Sequence, residues 1–223
     1  MKITSFLLLP ILAMIPSCST PDSFDENGIY EPPQSSKDGK FVNVEKYDSS
    51  ILVDLRYKTP QNFAKRSLYQ KDMPAVLRDS TAHRLAYASR LLKDDGLRLK
   101  VWDAYRPHST QVALWEASGK DPSFVANPHH STSKHSHGVA VDVTLVKLDG
   151  SAVPMPTKFD DFSEKASSEY IHEDEAVRTN LNLLQEAMRK AGFKAIQSEW
   201  WHFTDIDHKH FSHIPELKDV PNR

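Results

Sequence analysis

This sequence has one cysteine, only seven glycines and no excess of either charge. A single cysteine excludes an internal disulfide, a cysteine-based zinc ribbon and a CxxC redox pair. The balance of 28 Lys and Arg against 30 Asp and Glu excludes a strongly basic nucleic-acid binder, and the 39% hydrophobic content excludes wholesale disorder. The 223 residues are enough for one compact domain with its own core. Any metal site must therefore be built from histidine and carboxylate side chains.

The chain begins with an apolar segment at 6–15, which is shorter than the roughly 20 residues needed to cross a bilayer. This pattern predicts a signal peptide over 1–17. The segment runs into Ile-Pro-Ser-Cys, which resembles the lipobox of bacterial lipoproteins and implies a lipid on Cys18 and membrane contact through it. We therefore expect a bacterial cell-envelope protein, periplasmic or membrane-anchored. The polar, proline-rich stretch 18–40 is predicted to be a flexible tether, and 41–223 the folded domain.

Apolar periodicity predicts an alternation of helices and strands in the folded part. The helices are expected over most of 80–95, at 109–117 and at 174–190, and the strands at 97–102, 139–146 and 193–203. Helices and strands without a repeated βαβ rhythm indicate an α+β single domain, with helices packed on a largely antiparallel sheet.

Histidine is abundant, and eight of the eleven histidines fall in two clusters: His129, His130, His135 and His137, then His202, His208, His210 and His213. A catalytic zinc site needs three protein ligands and an open position. His135, Asp142 and His202 could supply them without a thiol. Asp142 lies inside a β-branched strand, where a carboxylate is costly unless it is paired or metal-bound.

The spacing of these residues is a difficulty for a regular strand. His135 and Asp142 are seven residues apart, and Glu199 and His202 are three apart, so each pair would face opposite sides. Gly138 could break the alternation for the first pair. The second pair requires a turn or bulge at 200–201.

Other interpretations of the histidines stay open at this point. The pairs 135/137 and 208/210 could be competing ligand pairs or surface residues, and the charged surroundings of the tail histidines favour solvation. Arg106 could be a surface arginine at a strand end, and it matters for catalysis only if it points at the metal.

The stretch 133–142 matches the pattern Ser-x-His-x-x-Gly-x-Ala-x-Asp and resembles the D-alanyl-D-alanine dipeptidases related to the vancomycin-resistance enzyme VanX. The resemblance covers most of 50–205. It continues in Leu55-Arg56-Tyr57, Asn62-Phe63, Trp102-Asp103-Ala104-Tyr105-Arg106-Pro107, Leu148-Asp149-Gly150, Val153-Pro154-Met155, Phe159-Asp160, Gly192-Phe193 and Glu199-Trp200-Trp201-His202. Lys65 departs from the pattern, which has glycine there, and the leader and the histidine-rich tail lie outside it.

The resemblance implies that His135, Asp142 and His202 bind one zinc ion per chain. It also implies that Glu199 is the general acid/base and that Arg106 stabilises the transition state. The expected reaction is zinc-dependent hydrolysis of the dipeptide D-Ala-D-Ala to two D-alanines, with no nucleic-acid partner. The small α+β fold of the family agrees with the predicted elements.

Two other functions are compatible with the sequence. A D,D-carboxypeptidase or endopeptidase acting on peptidoglycan stem peptides would keep the metal site and open the pocket. A lipid-anchored envelope-binding protein would keep the fold without turnover, although the presence of every catalytic position argues against it.

Overall fold

A computed structural model describes residues 21–214, 216 and 217. The predicted signal peptide and Cys18 lie outside these residues. The described part forms three helices, α1 (Asp79–Leu92), α2 (His108–Ala117) and α3 (Glu175–Lys190), and nine strands: β1 (Ser23–Phe24), β2 (Tyr30–Glu31), β3 (Phe41–Asn43), β4 (Leu52–Val53), β5 (Val76–Arg78), β6 (Leu97–Asp103), β7 (Ala140–Lys147), β8 (Phe193–Ala195) and β9 (His202–Asp205). Within it, no helix is both long enough and apolar enough to span a membrane.

The central sheet has five strands in the order β4-β6-β7-β9-β8. The β4–β6 pair is parallel and the other three pairs are antiparallel. Two small antiparallel pairs, β1–β2 and β3–β5, lie outside this sheet. The α+β fold with a largely antiparallel sheet is therefore confirmed.

The two long helices form where apolar residues recur at helical spacing. In α1, Leu85 and Leu92 are almost completely buried, and in α3 the same holds for Leu184 and Met188. Asp174 caps α3 by accepting hydrogen bonds from the first backbone amides of the helix. Both helices pack against each other and against the central strands, which creates the main core.

Alternation along β7 separates the two faces of the sheet. Val141 and Val143 belong to the core cluster shared with the helices. Asp142 and Thr144 are also buried but point to the opposite face. This second face carries the polar side chains described below.

The segment predicted as one last strand, 193–203, is divided in the structure. β8 ends at Ala195 and β9 begins at His202, with a turn at Trp200 and Trp201 between them. Both tryptophans are buried, so the turn is fixed by packing of its own side chains. The turn supplies the break in alternation that the spacing of Glu199 and His202 requires.

The folded region extends upstream of the start predicted at residue 41. Tyr30 is only 4% exposed and its ring stacks on Tyr87 of α1, with ring centroids 4.5 Å apart. Arg84 donates a hydrogen bond to the backbone oxygen of Tyr30. Residues 21–40 therefore differ from the expected tether, because an aromatic contact and a buried arginine hold them against α1.

Candidate metal centre

Three potential ligand atoms converge on the polar face of the sheet. His202 Nδ1 lies 3.0 Å from Asp142 Oδ1 and 3.1 Å from His135 Nε2, and His135 Nε2 lies 3.3 Å from Asp142 Oδ1. The side chains of His135 and Asp142 are nearly inaccessible, and that of His202 is 12% exposed. Among the described residues, these three are the group whose ligand atoms could hold a metal ion.

His135 reaches this point from a short 3-10 helix over Lys134–His137. Gly138 ends the helix with φ of +74°, a left-handed conformation that a residue with a side chain adopts at a cost. A Cβ atom at this position would also clash with the ring of Phe41. The turn sends the chain directly into β7, so His135 precedes the strand and escapes its alternation.

Asp142 and His202 come from neighbouring strands. They are paired directly across the β7–β9 ladder, so their side chains project from the same face. The backbone amide of His202 donates to the oxygen of Glu199, at 3.4 Å, across the turn that precedes β9. Glu199 is thereby brought beside the same group, with Glu199 Oε2 4.0 Å from His202 Nδ1.

In each of the two histidines, the ring nitrogen that faces away from the centre makes a hydrogen bond that orients the ring. His135 Nδ1 lies 2.7 Å from the carbonyl oxygen of Ala104, so this nitrogen carries the proton and donates it. His202 Nε2 lies 3.1 Å from Thr204 Oγ1. These bonds leave His135 Nε2 and His202 Nδ1 as the nitrogens that face the centre, which is the usual arrangement of metal-binding histidines.

The donor set fits zinc. Imidazole nitrogen and carboxylate oxygen are both zinc ligands, at about 2.0–2.2 Å, and tetrahedral donors at that distance lie roughly 3.3–3.6 Å apart. The observed separations of 3.0–3.3 Å are close to this spacing. Three protein ligands leave a fourth position open, as in catalytic sites.

Arg106 lies beside this group and is held on two sides. Its Nε and Nη2 donate to Asp103 Oδ2 at 2.9 and 2.8 Å, and its Nη1 donates to Gln111 Oε1 at 2.9 Å. The guanidinium carbon lies 5.0 Å from the centre of the Tyr57 ring. Nη2 is 3.6 Å from Asp142 Oδ2. The side chain is therefore rigid and points at the metal centre, which excludes the surface interpretation.

Burial and charge set the ionisation of the carboxylates. Burial alone would raise the pKa of Asp142, but His135 and His202 hold it well below the usual range, so Asp142 is ionised. Burial raises the pKa of Glu199. A carboxylate with a raised pKa next to a metal site is suited to accept and return a proton.

The other clustered histidines do not join this group. His137 Nδ1 lies 2.8 Å from the oxygen of Phe211 and its Nε2 lies 2.7 Å from Thr132 Oγ1, so both nitrogens are occupied. In the tail, His210 is exposed as predicted, whereas His208 is half-buried. His213 is half-buried too, with its ring 5.7 Å from that of His137. The prediction that the tail histidines are solvent-exposed therefore holds for His210 only.

Two acidic residues near the centre were given no role by the sequence analysis. Asp103 is completely buried and also accepts a hydrogen bond of 2.6 Å from Tyr69. Asp160 accepts from the backbone amide of Phe63, at 3.1 Å, and from the Tyr57 hydroxyl, at 3.2 Å. Both lie in stretches that carried the family resemblance, but neither has a spacing signal that links it to the metal ligands.

Comparisons with known proteins point to one family. The Peptidase_M15 family model, described as D-ala-D-ala dipeptidase, matches residues 37–219. A D-alanyl-D-alanine dipeptidase of Escherichia coli (strain K12) is 33% identical, over 69% of this chain and 78% of the relative. A D-alanyl-D-alanine dipeptidase of Enterococcus faecium is 30% identical, over 73% of this chain and 90% of the relative. Among solved structures, VanYB in complex with D-Alanine-D-Alanine is 18% identical with a TM-score of 0.39, covering 63% of this chain and 77% of the other.

Proposed function

Because this chain belongs to the Peptidase_M15 family of D-ala-D-ala dipeptidases, we propose that it hydrolyses the free dipeptide D-Ala-D-Ala to two D-alanines with one zinc ion. The geometry of the site supports the proposal in addition to the family match. Three ligand atoms lie within 3.3 Å of one another, with the half-buried carboxylate of Glu199 and a fixed guanidinium beside them.

His135, Asp142 and His202 would hold the zinc ion. When bound, zinc supplies a Lewis acid that polarises the scissile carbonyl and lowers the pKa of water towards 7. His135 is held by the carbonyl of Ala104 and Asp142 by its place in the sheet, so contacts within the protein orient both side chains towards the centre.

Glu199 would act as the general base and then the general acid. It takes a proton from the attacking water while the oxygen of that water bonds to the carbonyl carbon. As the C–N bond breaks, Glu199 returns the proton to the departing amine, so the reaction neither gains nor loses protons. The raised pKa of this carboxyl helps in the second half of the cycle, because a more basic carboxylate holds the proton until the amine needs it.

Arg106 would stabilise the negative charge that develops on the carbonyl oxygen. Its charge is permanent and its planar fork is fixed by Asp103 and Gln111, so little reorganisation is needed during the reaction. Arg106 Nη2 lies only 3.6 Å from the carboxylate of Asp142, which places the positive charge next to the metal centre.

A substrate panel tests the proposal. We expect the zinc-loaded protein to release alanine from free D-Ala-D-Ala, and not from L-Ala-L-Ala or from a pentapeptide ending in D-Ala-D-Ala. Glu199→Ala should retain zinc but lose at least about 10²–10³-fold in kcat. Release of alanine from the pentapeptide would assign the protein to the carboxypeptidases that trim stem peptides. No cleavage of any substrate by zinc-loaded protein would favour a binding protein without turnover.

We also propose that the protein is carried on the bacterial envelope by a lipid on Cys18. The support is the apolar segment 6–15, which is followed three residues later by Cys18, the only cysteine in the chain. Expression with a labelled fatty acid should label the protein, and Cys18→Ser should abolish the label and release the protein from the membrane fraction. Equal labelling of both forms would contradict the proposal.

A further inference from the structure

A buried glutamine connects the guanidinium of Arg106 to a loop of the chain. Gln111 is only 1% exposed. Its Oε1 accepts a hydrogen bond of 2.9 Å from Arg106 Nη1, and its Nε2 donates one of 2.9 Å to the carbonyl oxygen of Ala126. Because the guanidinium can only donate and the carbonyl can only accept, a single orientation of the amide satisfies both partners. Gln111 is therefore a bridge with a defined direction.

Both ends of this bridge are anchored in the fold. Pro107 is the residue before α2, and the backbone amide of Gln111 donates to its carbonyl oxygen at 3.1 Å. Gln111 thus lies one turn into α2, next to the segment that carries Arg106. On the other side, Ala126 follows Val125, which is 7% exposed and belongs to the core cluster. The amide is held in place by a helix and by a loop that packs on the core.

Arg106 lies between two carboxylates, and only one of them is its hydrogen-bond partner. Nε and Nη2 donate to Asp103 Oδ2 at 2.9 and 2.8 Å, whereas Nη2 is 3.6 Å from Asp142 Oδ2. A hydrogen bond between a charged N–H and a carboxylate is about 2.7–2.9 Å long, so a shift of less than about 1 Å would close this gap. The attraction between opposite charges favours that shift. The bond from Nη1 to Gln111 opposes it, because it holds the other arm of the planar fork.

The shift would act on a candidate metal ligand. Asp142 Oδ1 is the oxygen near both histidines, at 3.3 Å from His135 Nε2 and 3.0 Å from His202 Nδ1, and Oδ2 is the oxygen near Arg106. A full ion pair at Oδ2 would draw negative charge away from Oδ1 and turn the carboxylate towards the arginine. Both changes would weaken a bond from Asp142 to zinc, because the partners of a metal ligand tune its strength as a donor.

We propose that Gln111 is a positioning residue that keeps the guanidinium of Arg106 from pairing fully with Asp142. The inference rests on the proposed zinc site and assigns a role to a residue outside it. A neutral amide suits this role, since its oxygen holds Arg106 without placing a third carboxylate beside Asp103 and Asp142. Arg106 then remains close to the metal centre while Asp142 keeps its charge for the ion.

Competition of the full chain with a chromophoric zinc chelator tests the inference without turnover. Gln111→Met removes both hydrogen bonds at similar side-chain size, and we expect zinc affinity to fall by about 10–100-fold. Gln111→Glu keeps an oxygen that accepts from Arg106 and should retain the native affinity. The matched control is Gln185→Met, because Gln185 also links a helix to a loop, through a 2.8 Å bond to the oxygen of Ser168, and should leave affinity unchanged.

A double-mutant cycle separates this role from a purely structural one. Lysine at position 106 lacks the fork that Gln111 holds, so adding Gln111→Met to Arg106→Lys should change zinc affinity by less than about twofold. Native affinity in Gln111→Met would overturn the inference. So would an equal loss in Gln111→Glu, or a full further loss in the Arg106→Lys background, since either would show that the bond to Ala126 is what matters. The predicted losses in a chain that cleaves no dipeptide would support the inference and contradict the proposed hydrolysis alone.

Discussion

Two buried arginines, Arg84 and Arg106, are each paired with a buried aspartate. Arg84 on α1 lies 3.2 Å from Asp205 and 2.6 Å from Asp207, and it also donates to the carbonyl oxygens of Tyr30 and Ala191. Arg106 pairs with Asp103 next to the metal centre. Both clusters are buried arginine–aspartate ion pairs. They differ in which segments of the chain supply the other partners of the arginine.

The cluster at Arg84 connects elements that are distant in the sequence. It joins the N-terminal segment, α1, the end of α3 and the residues after β9. At Arg106 the partners are three and five residues away in the sequence, and the remaining side of the guanidinium faces Asp142. A buried ion pair thus stabilises the fold where its donors are shared among separate segments. Under the proposed function, the pair at Arg106 serves catalysis, because local partners hold the guanidinium and leave it directed at Asp142.

Removing Arg84 tests the structural half of this comparison. Arg84→Met leaves Asp205, which is completely buried, without its cation, and we expect the free energy of unfolding to fall by about 3–5 kcal/mol. Denaturant unfolding measures this change, with kcat for D-Ala-D-Ala unaltered at 25 °C. The control is Arg189→Met, since Arg189 pairs with Glu186 at 2.9 Å on the surface and should contribute at most about 1 kcal/mol. Equal losses in the two variants would contradict the assignment.

Arg106→Lys tests the catalytic half. Lysine keeps the positive charge for Asp103 but not the planar fork that also reaches Gln111, so kcat should fall about 10²–10³-fold. Stability should change by less than in Arg84→Met. Steady-state kinetics and unfolding on the same preparation measure both quantities. A variant that turns over at nearly the normal rate would remove Arg106 from the mechanism.

Asp160 is a half-buried carboxylate that pairs with no arginine among the described residues, and it predicts a smaller, pH-dependent effect. Burial raises its pKa to about 7, against 3.8 normally, so the folded state retains a proton that the unfolded chain has lost. Its contribution to stability therefore falls as the pH rises from about 4 to 7 and is constant above that. Asp160→Asn removes this dependence.

The measurement for Asp160 is urea unfolding of the metal-free protein at pH 5 and pH 8. Relative to the unsubstituted chain, Asp160→Asn should gain stability at pH 8 by on the order of 2 kcal/mol more than at pH 5. Asp161→Asn is the control, because Asp161 makes its hydrogen bonds locally with Ser163 near the surface. The same difference for both variants, or none for Asp160→Asn, would show that Asp160 is ionised in the fold.

The sequence predicted the parts of the fold that depend on local patterns. Periodic apolar residues located α1 and α3 to within a few residues, and Gly138 marked the turn before β7. The last strand was predicted as one segment over 193–203, although the spacing of Glu199 and His202 required a turn or bulge at 200–201. The packing of Tyr30 on Tyr87 was missed, because it depends on a tertiary contact. The histidine-rich composition and the family motif pointed to the residues that the structure brings together.

The spacing of residues along the chain is not by itself enough to identify the three candidate metal ligands. Asp142 and His202 meet because β7 and β9 are neighbours in the sheet, which is a property of the topology. Sequence spacing could not identify Asp103 and Asp160 either. Their importance arises from burial and from hydrogen bonds to tyrosines far away in the sequence, as in the bond from Tyr57 to Asp160.

The central claim is that His135, Asp142 and His202 hold the zinc ion on which D-Ala-D-Ala hydrolysis depends. The most direct test measures zinc content and turnover on one sample before chelation, after it, and after zinc is restored, for the native chain and for His202→Ala. We predict one zinc per chain, loss of both zinc and turnover on chelation, and recovery of both only in the native chain. Turnover that persists without zinc, or a full complement of zinc in His202→Ala, would contradict the account.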